Sequence, residues 1–243
     1  MTTIAENIAR VQDTIAAACA RTGRDPVSVT LIAVSKTHPA SAVVEAVAAG
    51  VQHFGENRVE EAETKISSVR ASVAAAPLTW HMIGQIQSRK AKAVAPLFGV
   101  VHSVDTLKLA IKLADAAVEG GKTLDVLLEM NVSGEASKGG FVASAWARDP
   151  AVRDALFADV AALVALPGVR VRGLMTMAPI VARMEAARPV FESLAGLRAA
   201  LSETLKIALP DLSMGMTDDY PVAIEAGATL VRVGRAIFGD RQG

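Results

Sequence analysis

The stretch that decides the fold is VSVTLIAVSKTHP, residues 27–39. Its run of apolar and β-branched residues predicts a buried β-strand over 28–35. The run ends at a lysine, Lys36, just before a turn that contains Pro39. An ammonium group at the end of a buried strand needs water or a partner, because an unpaired buried charge is costly. The remaining sequence indicates what Lys36 meets.

Further apolar runs follow along the chain, and longer Ala/Leu-rich helical patterns separate them. The predicted strands are 28–35, 51–54, 79–83, 99–103, 124–130, 169–174, 211–213 and 229–233. Strands that alternate with helices indicate parallel pairing, because each crossover carries the chain back along a helix. Eight such units predict a single-domain α/β TIM (β/α)8 barrel over residues 1–243, with an extra N-terminal helix over about 3–21.

A doubly wound open sheet is the alternative architecture. Such a sheet usually carries a glycine-rich fingerprint directly after its first strand. The residues at that place are SKTHP, which contain no glycine. The sequence therefore favours the barrel.

The composition limits the classes of function. The chain has 243 residues, of which 51% are hydrophobic, and this suits one large core. Its 25 Lys and Arg balance 25 Asp and Glu, which gives no electrostatic reason to expect a nucleic-acid or membrane partner. The one cysteine, Cys19, fits a buried helix position better than a reactive thiol. No signal peptide or membrane span stands out, so we expect a cytoplasmic protein.

Polar and glycine residues collect where the predicted strands end, which is the face at which TIM barrels place their sites. Lys36 is either a solvated rim residue or an amine made reactive by desolvation and nearby cations, as in lysines that form Schiff bases. Arg232 interrupts the last apolar run. It either reaches the mouth of the barrel or pairs on the outer face. In a closed barrel the first and last strands are neighbours, so Arg232 would supply a cation near Lys36.

The segments LSMGMTDD and VRVGRAIFG follow or end the seventh and eighth predicted strands. In TIM barrels these two loops often hold a phosphate. Gly215 and Gly234 would let the backbone approach an anion closely, although ordinary turns also use glycine. Ser213 offers a hydroxyl, and amides near Arg235 and Ala236 would point at the anion.

A lysine after the first strand, an arginine on the last strand and two phosphate loops together predict a site for pyridoxal 5′-phosphate. Lys36 would bind the aldehyde of this cofactor, and Arg232 would meet its ring nitrogen. An aldolase-like barrel with a Schiff-base lysine and no cofactor is a further alternative. Its lysine would more often lie on a later strand.

The chain resembles, over essentially its whole length, the YggS/PROSC family of pyridoxal phosphate homeostasis proteins. The stretches that carry the resemblance are LIAVSKTHP, HFGENRVEE, WHMIGQIQSRK, VHSVD, NVSGEASKGGF, RGLMTMAP and LSMGMTDDYPVAIEAGATLVRVGRAIFG, in family order. The resemblance implies a barrel like the N-terminal domain of bacterial alanine racemases, with pyridoxal phosphate held as a Schiff base on Lys36.

The resemblance also implies the residues that line the cofactor site, with no metal and no catalytic residue among them. They are Lys36, Asn57, Met175, Ser213, Met214, Gly215, Arg232, Gly234 and Arg235. Many relatives carry Thr or Ser at the position of Arg235. Here either the guanidinium replaces that hydroxyl as a phosphate donor, or the backbone amide binds while the side chain points to solvent.

We expect a carrier of pyridoxal phosphate rather than an enzyme. An arginine at the ring nitrogen disfavours the protonated pyridine that carbanion chemistry requires. A racemase-like enzyme acting on amino acids is the alternative, and it needs a second acid–base group opposite Lys36. His81 and His102 are the best candidates for that group. The resemblance implies a role in the balance of B6 vitamers, and we expect a monomer that hands the cofactor to apo-enzymes.

Overall fold

The computed structural model describes residues 2–73 and 77–239. Parallel strands form its centre. They are β1 (Thr30–Val34), β2 (His53–Glu56), β3 (Thr79–Met82), β4 (Val100–Val104), β5 (Leu124–Asn131), β6 (Phe141–Val142), β7 (Val169–Met175), β8 (Asp211–Met216) and β9 (Leu230–Val233). Strands β1 to β5 pair in sequence, β5 pairs with β7, and β9 pairs back with β1. The resulting closed ring has eight strands, with β6 attached to β5 outside it.

Helices surround this ring. They are α1 (Ile4–Arg21), α2 (Ala40–Ala48), α3 (Val59–Ser72), α4 (Ala91–Leu97), α5 (Leu107–Glu119), α6 (Pro150–Val164), α7 (Arg188–Leu205), α8 (Tyr220–Glu225) and α9 (Arg235–Phe238). The first helix starts at a capping box, in which Thr3 and Glu6 satisfy each other's backbone amides. It packs against α8 and α9. The predicted TIM barrel with an extra N-terminal helix is confirmed.

The second strand lies two residues later than predicted. The apolar run suggested 51–54, whereas β2 extends through Gly55 and Glu56, which pair with β3. A glycine and a glutamate do not read as strand residues in an apolar pattern. They belong to the strand here because the fully buried Glu56 finds a cationic partner inside the protein.

Two apolar layers hold the barrel together. The larger layer fills the space between the outer face of the strands and the helices, and it includes the buried Cys19 of α1. The smaller layer lies inside the ring and consists of Ile32, Leu127, Met175 and Leu230. The inside of the ring also contains buried polar side chains, among them His81, His102, Ser213 and Arg232. No helix within residues 2–73 and 77–239 has the length and apolar character to cross a membrane.

Candidate functional site

Lys36 lies two residues beyond the end of β1, in a turn rather than in the strand itself. The next residue, Thr37, has a φ angle of 66°, a left-handed conformation that is uncommon for a threonine. Two hydrogen bonds hold this turn. The amide of Thr37 donates to Glu61 Oε1 over 2.6 Å, and the amide of His38 donates to the Ser35 carbonyl over 3.1 Å. The backbone on both sides of the half-buried Lys36 is therefore fixed.

A buried ion-pair cluster anchors the same turn from below. Lys65 Nζ donates to the Ser35 carbonyl and to Glu56 Oε1 over 2.7 Å each, and to Glu61 Oε1 over 2.9 Å. Burial raises the pKa of Glu56, while hydrogen bonds from Lys65 and Ser35 lower it. These paired charges stabilise the segment that presents Lys36. We call Lys65, Glu56 and Glu61 the lysine-65 cluster.

Lys36, Gly234 and Arg235 line one cavity of about 350 Å³ at the mouth of the barrel, between the ends of β1 and β9. Ligand pockets typically measure about 300–1,000 Å³. A Cβ atom on Gly234 would lie 3.1 Å from the carbonyl oxygen of Val34 and 3.3 Å from its Cβ. Glycine at this position therefore lets the two strand ends approach closely. The predicted approach of its backbone to an anion stays a prediction.

Arg232 is buried inside the barrel and does not lie on its outer face. It is 5% exposed, and its Nη2 donates to the Thr176 carbonyl over 3.0 Å while Nη1 donates to Ser213 Oγ. Burial lowers the pKa of Arg232 to about 10, and the nearby carboxylates of Asp219 and Glu129 oppose this shift. The guanidinium thus keeps its charge at neutral pH, and the outer-face interpretation is wrong.

The segment from Ser213 to Gly215 contributes in three different ways. Ser213 is fully buried, and its hydroxyl contacts both Arg232 and His102. The Met214 side chain packs in the outer apolar layer, so only its backbone remains available to a ligand. Gly215 has a φ angle of 91°, and a Cβ there would lie 2.6 Å from the Cβ of Ala223. Packing against α8 therefore requires glycine at 215.

Two predicted site residues, Arg235 and Asn57, have side chains whose surroundings differ from those expected for direct contact with the cofactor. The Arg235 side chain is 57% exposed and pairs with Asp218, with Nη2 to Oδ2 at 2.7 Å. This pairing favours the interpretation in which the backbone amide faces the ligand. Asn57 lines a separate cavity of about 120 Å³ with Gln85 and Lys90. The structure does not bring it to the Lys36 cavity, and its cofactor contact stays a prediction.

His81 and His102 lie within the barrel interior and not at the mouth. Burial lowers the pKa of His81 to about 3 and lowers that of His102 well below its ordinary value. Their ring nitrogens, His81 Nδ1 and His102 Nε2, lie 2.9 Å apart. Neither residue lines the Lys36 cavity, so neither stands opposite Lys36 as a second acid–base group.

Two parts of this region were missed from the sequence. The lysine-65 cluster had a weak signal in the spacing of Glu61 and Lys65, which lie one helical turn apart. A sequence signal for the contact between His81 and His102 is that each histidine is the third residue of its strand, and that these strands, β3 and β4, follow one another in the chain. Both signals are common on protein surfaces, and only the fold shows that these side chains are buried.

The closed parallel barrel, with a lysine after its first strand and a buried arginine on its last, defines an α/β barrel of the alanine racemase N-terminal type. Residues 4–242 match the family model described as alanine racemase, N-terminal domain. The chain is 46% identical over 241 residues to the pyridoxal phosphate homeostasis protein of Pseudomonas aeruginosa, and the match covers 99% of this chain and 97% of that protein. It belongs to the family of pyridoxal phosphate homeostasis proteins.

Two further comparisons agree with this assignment. The pyridoxal phosphate homeostasis protein of Escherichia coli K12 is 42% identical over 246 residues, covering 99% of this chain and 98% of that protein. The structure of PipY from Synechococcus elongatus PCC7942, solved with PLP bound, superimposes with a TM-score of 0.80 at 38% identity. That match covers 98% of this chain and 100% of PipY.

Proposed function

We propose that this protein binds pyridoxal 5′-phosphate through Lys36 and serves the homeostasis of this cofactor and of vitamin B6. One observation carries the proposal. Lys36 and Gly234 line a single cavity of about 350 Å³ between the ends of the first and last strands. The names of the relatives and the PLP bound to PipY support the same function.

The residues present fit the cofactor. When bound, pyridoxal phosphate supplies an aldehyde that reacts reversibly with primary amines, together with a pyridine ring and a phosphate. The cavity offers an amine from Lys36, and the neighbouring interior offers a buried guanidinium from Arg232. The residues that would hold the group are Lys36, Ser213, Met214, Gly215, Arg232, Gly234 and Arg235. Met175 belongs to the apolar cluster inside the ring, and Asn57 lines a separate cavity, so the contacts of these two with the cofactor stay predictions.

Three of these residues have a definite task in the proposed site, and one of them, Ser213, offers its hydroxyl to the phosphate. Lys36, held by its fixed turn, presents the amine. Arg232 donates hydrogen bonds but has no acceptor, so it would hold the ring nitrogen in its unprotonated form. An unprotonated ring is a poor sink for electrons, and this favours a carrier over an enzyme. His81 and His102 do not line the Lys36 cavity, so neither of these two histidines supplies the second acid–base group that the racemase-like alternative requires.

The carrier role includes three finer proposals. We propose that apo forms of pyridoxal phosphate enzymes receive the cofactor, because a reversible bond to a half-buried amine can be exchanged. We also propose that the protein acts as a monomer and in the cytoplasm. Its balanced charge is consistent with a small-molecule ligand rather than a polyanionic partner.

The test is the visible absorbance of purified protein that has been incubated with pyridoxal phosphate and desalted. We expect the wild type to keep the absorbance of an amine-bound cofactor. Lys36→Ala should lose it and bind at least about 100-fold more weakly, or roughly 3 kcal/mol. Lys92→Ala is the matched control, since Lys92 is 76% exposed and pairs with Glu119 on the surface.

Equal retention of the cofactor by Lys36→Ala and by the wild type would show that the proposed attachment is wrong. The carrier role is measured separately, by adding an apo-enzyme to the loaded protein and following recovery of that enzyme's activity. Racemase and transaminase assays on the same sample should give no turnover above that of free cofactor. Sustained racemisation would favour the enzymatic alternative.

A further inference from the structure

A continuous chain of hydrogen-bonded side chains crosses the interior of the barrel. His53 Nδ1 lies 3.0 Å from His81 Nε2, and His81 Nδ1 lies 2.9 Å from His102 Nε2. His102 Nδ1 then lies 2.8 Å from Ser213 Oγ, which also accepts a hydrogen bond from Arg232 Nη1. The contact between His102 on β4 and Ser213 on β8 spans the ring, because these strands are not neighbours. We call His53, His81, His102 and Ser213 the histidine chain.

The histidine chain joins the two ends of the barrel. His53 is the first residue of β2, is half-buried, and lines a cavity of about 480 Å³ that also contains Thr30, the first residue of β1. It therefore reaches the base of the barrel, where the strands begin. The other end of the chain meets Arg232 below the mouth. The intervening His81 and His102 are 2% and 0% exposed, so no bulk water interrupts the path.

The buried histidines are neutral at physiological pH. Burial lowers the pKa of His81 to about 3, and the neighbouring His53 acts in the same direction. Burial, His81 and Arg232 together hold the pKa of His102 well below its ordinary value. The pKa of His53 is lowered by burial as well. A neutral imidazole has one N–H donor and one acceptor nitrogen, so each ring can donate to only one side.

Neutral rings allow only two fully satisfied arrangements of the chain. In the first, the Ser213 hydroxyl donates to His102, which donates through Nε2–H to His81, which donates through Nε2–H to His53. In the second, the direction is reversed, and each ring carries its proton on Nδ1. A mixed arrangement places two donors or two acceptors face to face, and a buried unsatisfied group of this kind is costly. The rings must therefore change tautomer together.

The two arrangements differ in what the buried Ser213 can offer to the phosphate of the proposed site. In both, its oxygen accepts from Arg232. In the first, its proton is directed to His102. In the second, His102 donates to Ser213, and the serine proton is released for another acceptor. Conversion from the first to the second takes up one proton at Ser213, from water or a monoprotonated phosphate, and releases one proton from His53 Nε2 to water.

We propose that the three histidines form a tautomer relay that sets whether Ser213 donates to a phosphate oxygen, and that ligand binding at the mouth is thereby coupled to His53 at the base. This inference rests on the proposed function, in which Ser213 contacts the phosphate of the cofactor. His53, His81 and His102 are positioning residues in this scheme. They act on the ligand only through the hydroxyl of Ser213.

The direct test is nitrogen NMR of the full chain with ¹⁵N-labelled histidine, which reports the protonated nitrogen of each ring. Without ligand, the three rings of the chain should all carry their protons on Nε2, because His102 is then the acceptor for Ser213. After addition of pyridoxal phosphate all three should carry them on Nδ1. In Ser213→Ala the rings should no longer change tautomer when the ligand is added. Absorbance of the same samples reports whether the cofactor is bound.

A matched pair of variants tests the relay from its far end. A lysine at position 53 can only donate to His81 Nε2, so His53→Lys holds the second arrangement. A carboxylate can only accept, so His53→Glu holds the first. A hydrogen bond to a charged acceptor is worth enough for His53→Lys to bind pyridoxal phosphate about tenfold or more tightly than His53→Glu. Gln52→Lys and Gln52→Glu place the same charges on an exposed neighbour outside the chain.

The outcomes separate the relay from the cofactor site. If absorbance shows bound cofactor while the histidine tautomers stay unchanged, the relay is wrong and the proposed function stands. An affinity difference at position 53 no larger than that at position 52 also overturns it. If no cofactor binds, the proposed function fails together with the coupling to ligand. Mixed tautomers in the ligand-free wild type, or in His53→Lys, would overturn the concerted chain itself.

Discussion

Two buried polar clusters lie beneath the mouth of this barrel, and the free-energy cost of burying their polar groups is offset in two different ways. The lysine-65 cluster supports the Lys36 turn through buried ion pairs, with Lys65 6% exposed and Glu56 0% exposed. The histidine chain supports Arg232 and carries no charge of its own at neutral pH, because burial lowers the pKa values of its rings. One cluster depends on ion pairing, and the other depends on the order of its hydrogen bonds.

The difference indicates what each cluster can contribute. Paired charges with several donors and acceptors have one favourable arrangement, so the lysine-65 cluster suits a rigid support. Neutral imidazoles have two equivalent arrangements and can exchange them, so the histidine chain suits a support that responds to a ligand. Removing one member should therefore be most damaging in the charged cluster, where it leaves an uncompensated buried ion.

The largest expected effect comes from breaking the charged cluster. Lys65→Met leaves Glu56 buried without its cation, and we expect the free energy of unfolding to fall by about 3–5 kcal/mol. Without Lys65 the pKa of Glu56 in the folded protein is raised further. The loss should therefore grow as pH rises above 4.5, because the variant must then bury an ionised carboxylate. Urea unfolding at several pH values measures both effects.

Two variants make the Lys65 result specific. Lys65→Met combined with Glu56→Gln removes both charges and should recover part of the lost stability, because no ion is left unpaired. Lys90→Met removes a lysine that pairs with the exposed Glu60 and should lower the free energy of unfolding much less than Lys65→Met does, because water screens the exposed pair. Equal losses in Lys65→Met and Lys90→Met would contradict the idea that burial distinguishes the two pairs.

Acid should weaken the neutral cluster. The pKa of His81 is about 3 in the folded protein against 6.5 in the unfolded chain, so the unfolded state binds the proton first. The contribution of the neutral His81 to stability is therefore fully present above pH 6.5 and is lost as the pH falls toward 3. Each buried histidine should remove roughly 1 kcal/mol per pH unit in this range. Unfolding free energies between pH 6.5 and 5 test this before most carboxylates titrate.

His81→Gln provides the comparison for the acid experiment, because glutamine keeps hydrogen-bonding groups but does not titrate. Its unfolding free energy should depend less steeply on pH than that of the wild type. The difference between the two slopes should equal the contribution of about one titrating histidine. If the two slopes agree between pH 6.5 and 5, the histidine chain is not the source of the acid sensitivity.

The smallest expected effect is at the rim. The Arg235 side chain pairs with Asp218 at positions that are 57% and 79% exposed, so Arg235→Ala should change stability by less than about 1 kcal/mol. Pyridoxal phosphate affinity should change little, because the backbone amide remains. Gly234→Ala should weaken binding more, since its Cβ would press on Val34. A larger loss in Arg235→Ala than in Gly234→Ala would assign the phosphate contact to the guanidinium.

Much of the fold followed from local sequence pattern. The period of the apolar runs predicted the start of each strand of the ring to within two residues, because side chains alternate in strands and every strand here is buried on its outer face. The end of β8 was missed by three residues, since Met214, Gly215 and Met216 extend it beyond the predicted 211–213. The placement of Lys36 and Gly234 at one mouth also followed, since a closed parallel barrel brings the ends of its first and last strands together. The site residues with the clearest sequence signal are those at strand ends.

The sequence pattern did not predict which cavity Asn57 lines or that Arg235 pairs with Asp218. Asn57 directly follows β2, yet its side chain belongs to a different cavity from Lys36. Arg235 stands next to a glycine that lines the cavity, yet its guanidinium is held by Asp218. Strand position determines which end of the barrel a residue reaches, whereas the direction of a loop side chain depends on the partners that it meets.

The sequence by itself determined the barrel, the order of its strands and the chemistry available at its mouth, because these depend on periodicity and on residue type. Only the tertiary structure decided which polar residues are buried and which partners satisfy them. His53, His81 and His102 are far apart in the chain, and Lys65 belongs to a helix that reads as a surface helix. The three histidines meet because β2, β3 and β4 pair side by side, and Lys65 meets Glu56 because α3 packs on β2. Closure of the ring adds the contact between His102 and Ser213, which lie on strands that are not neighbours.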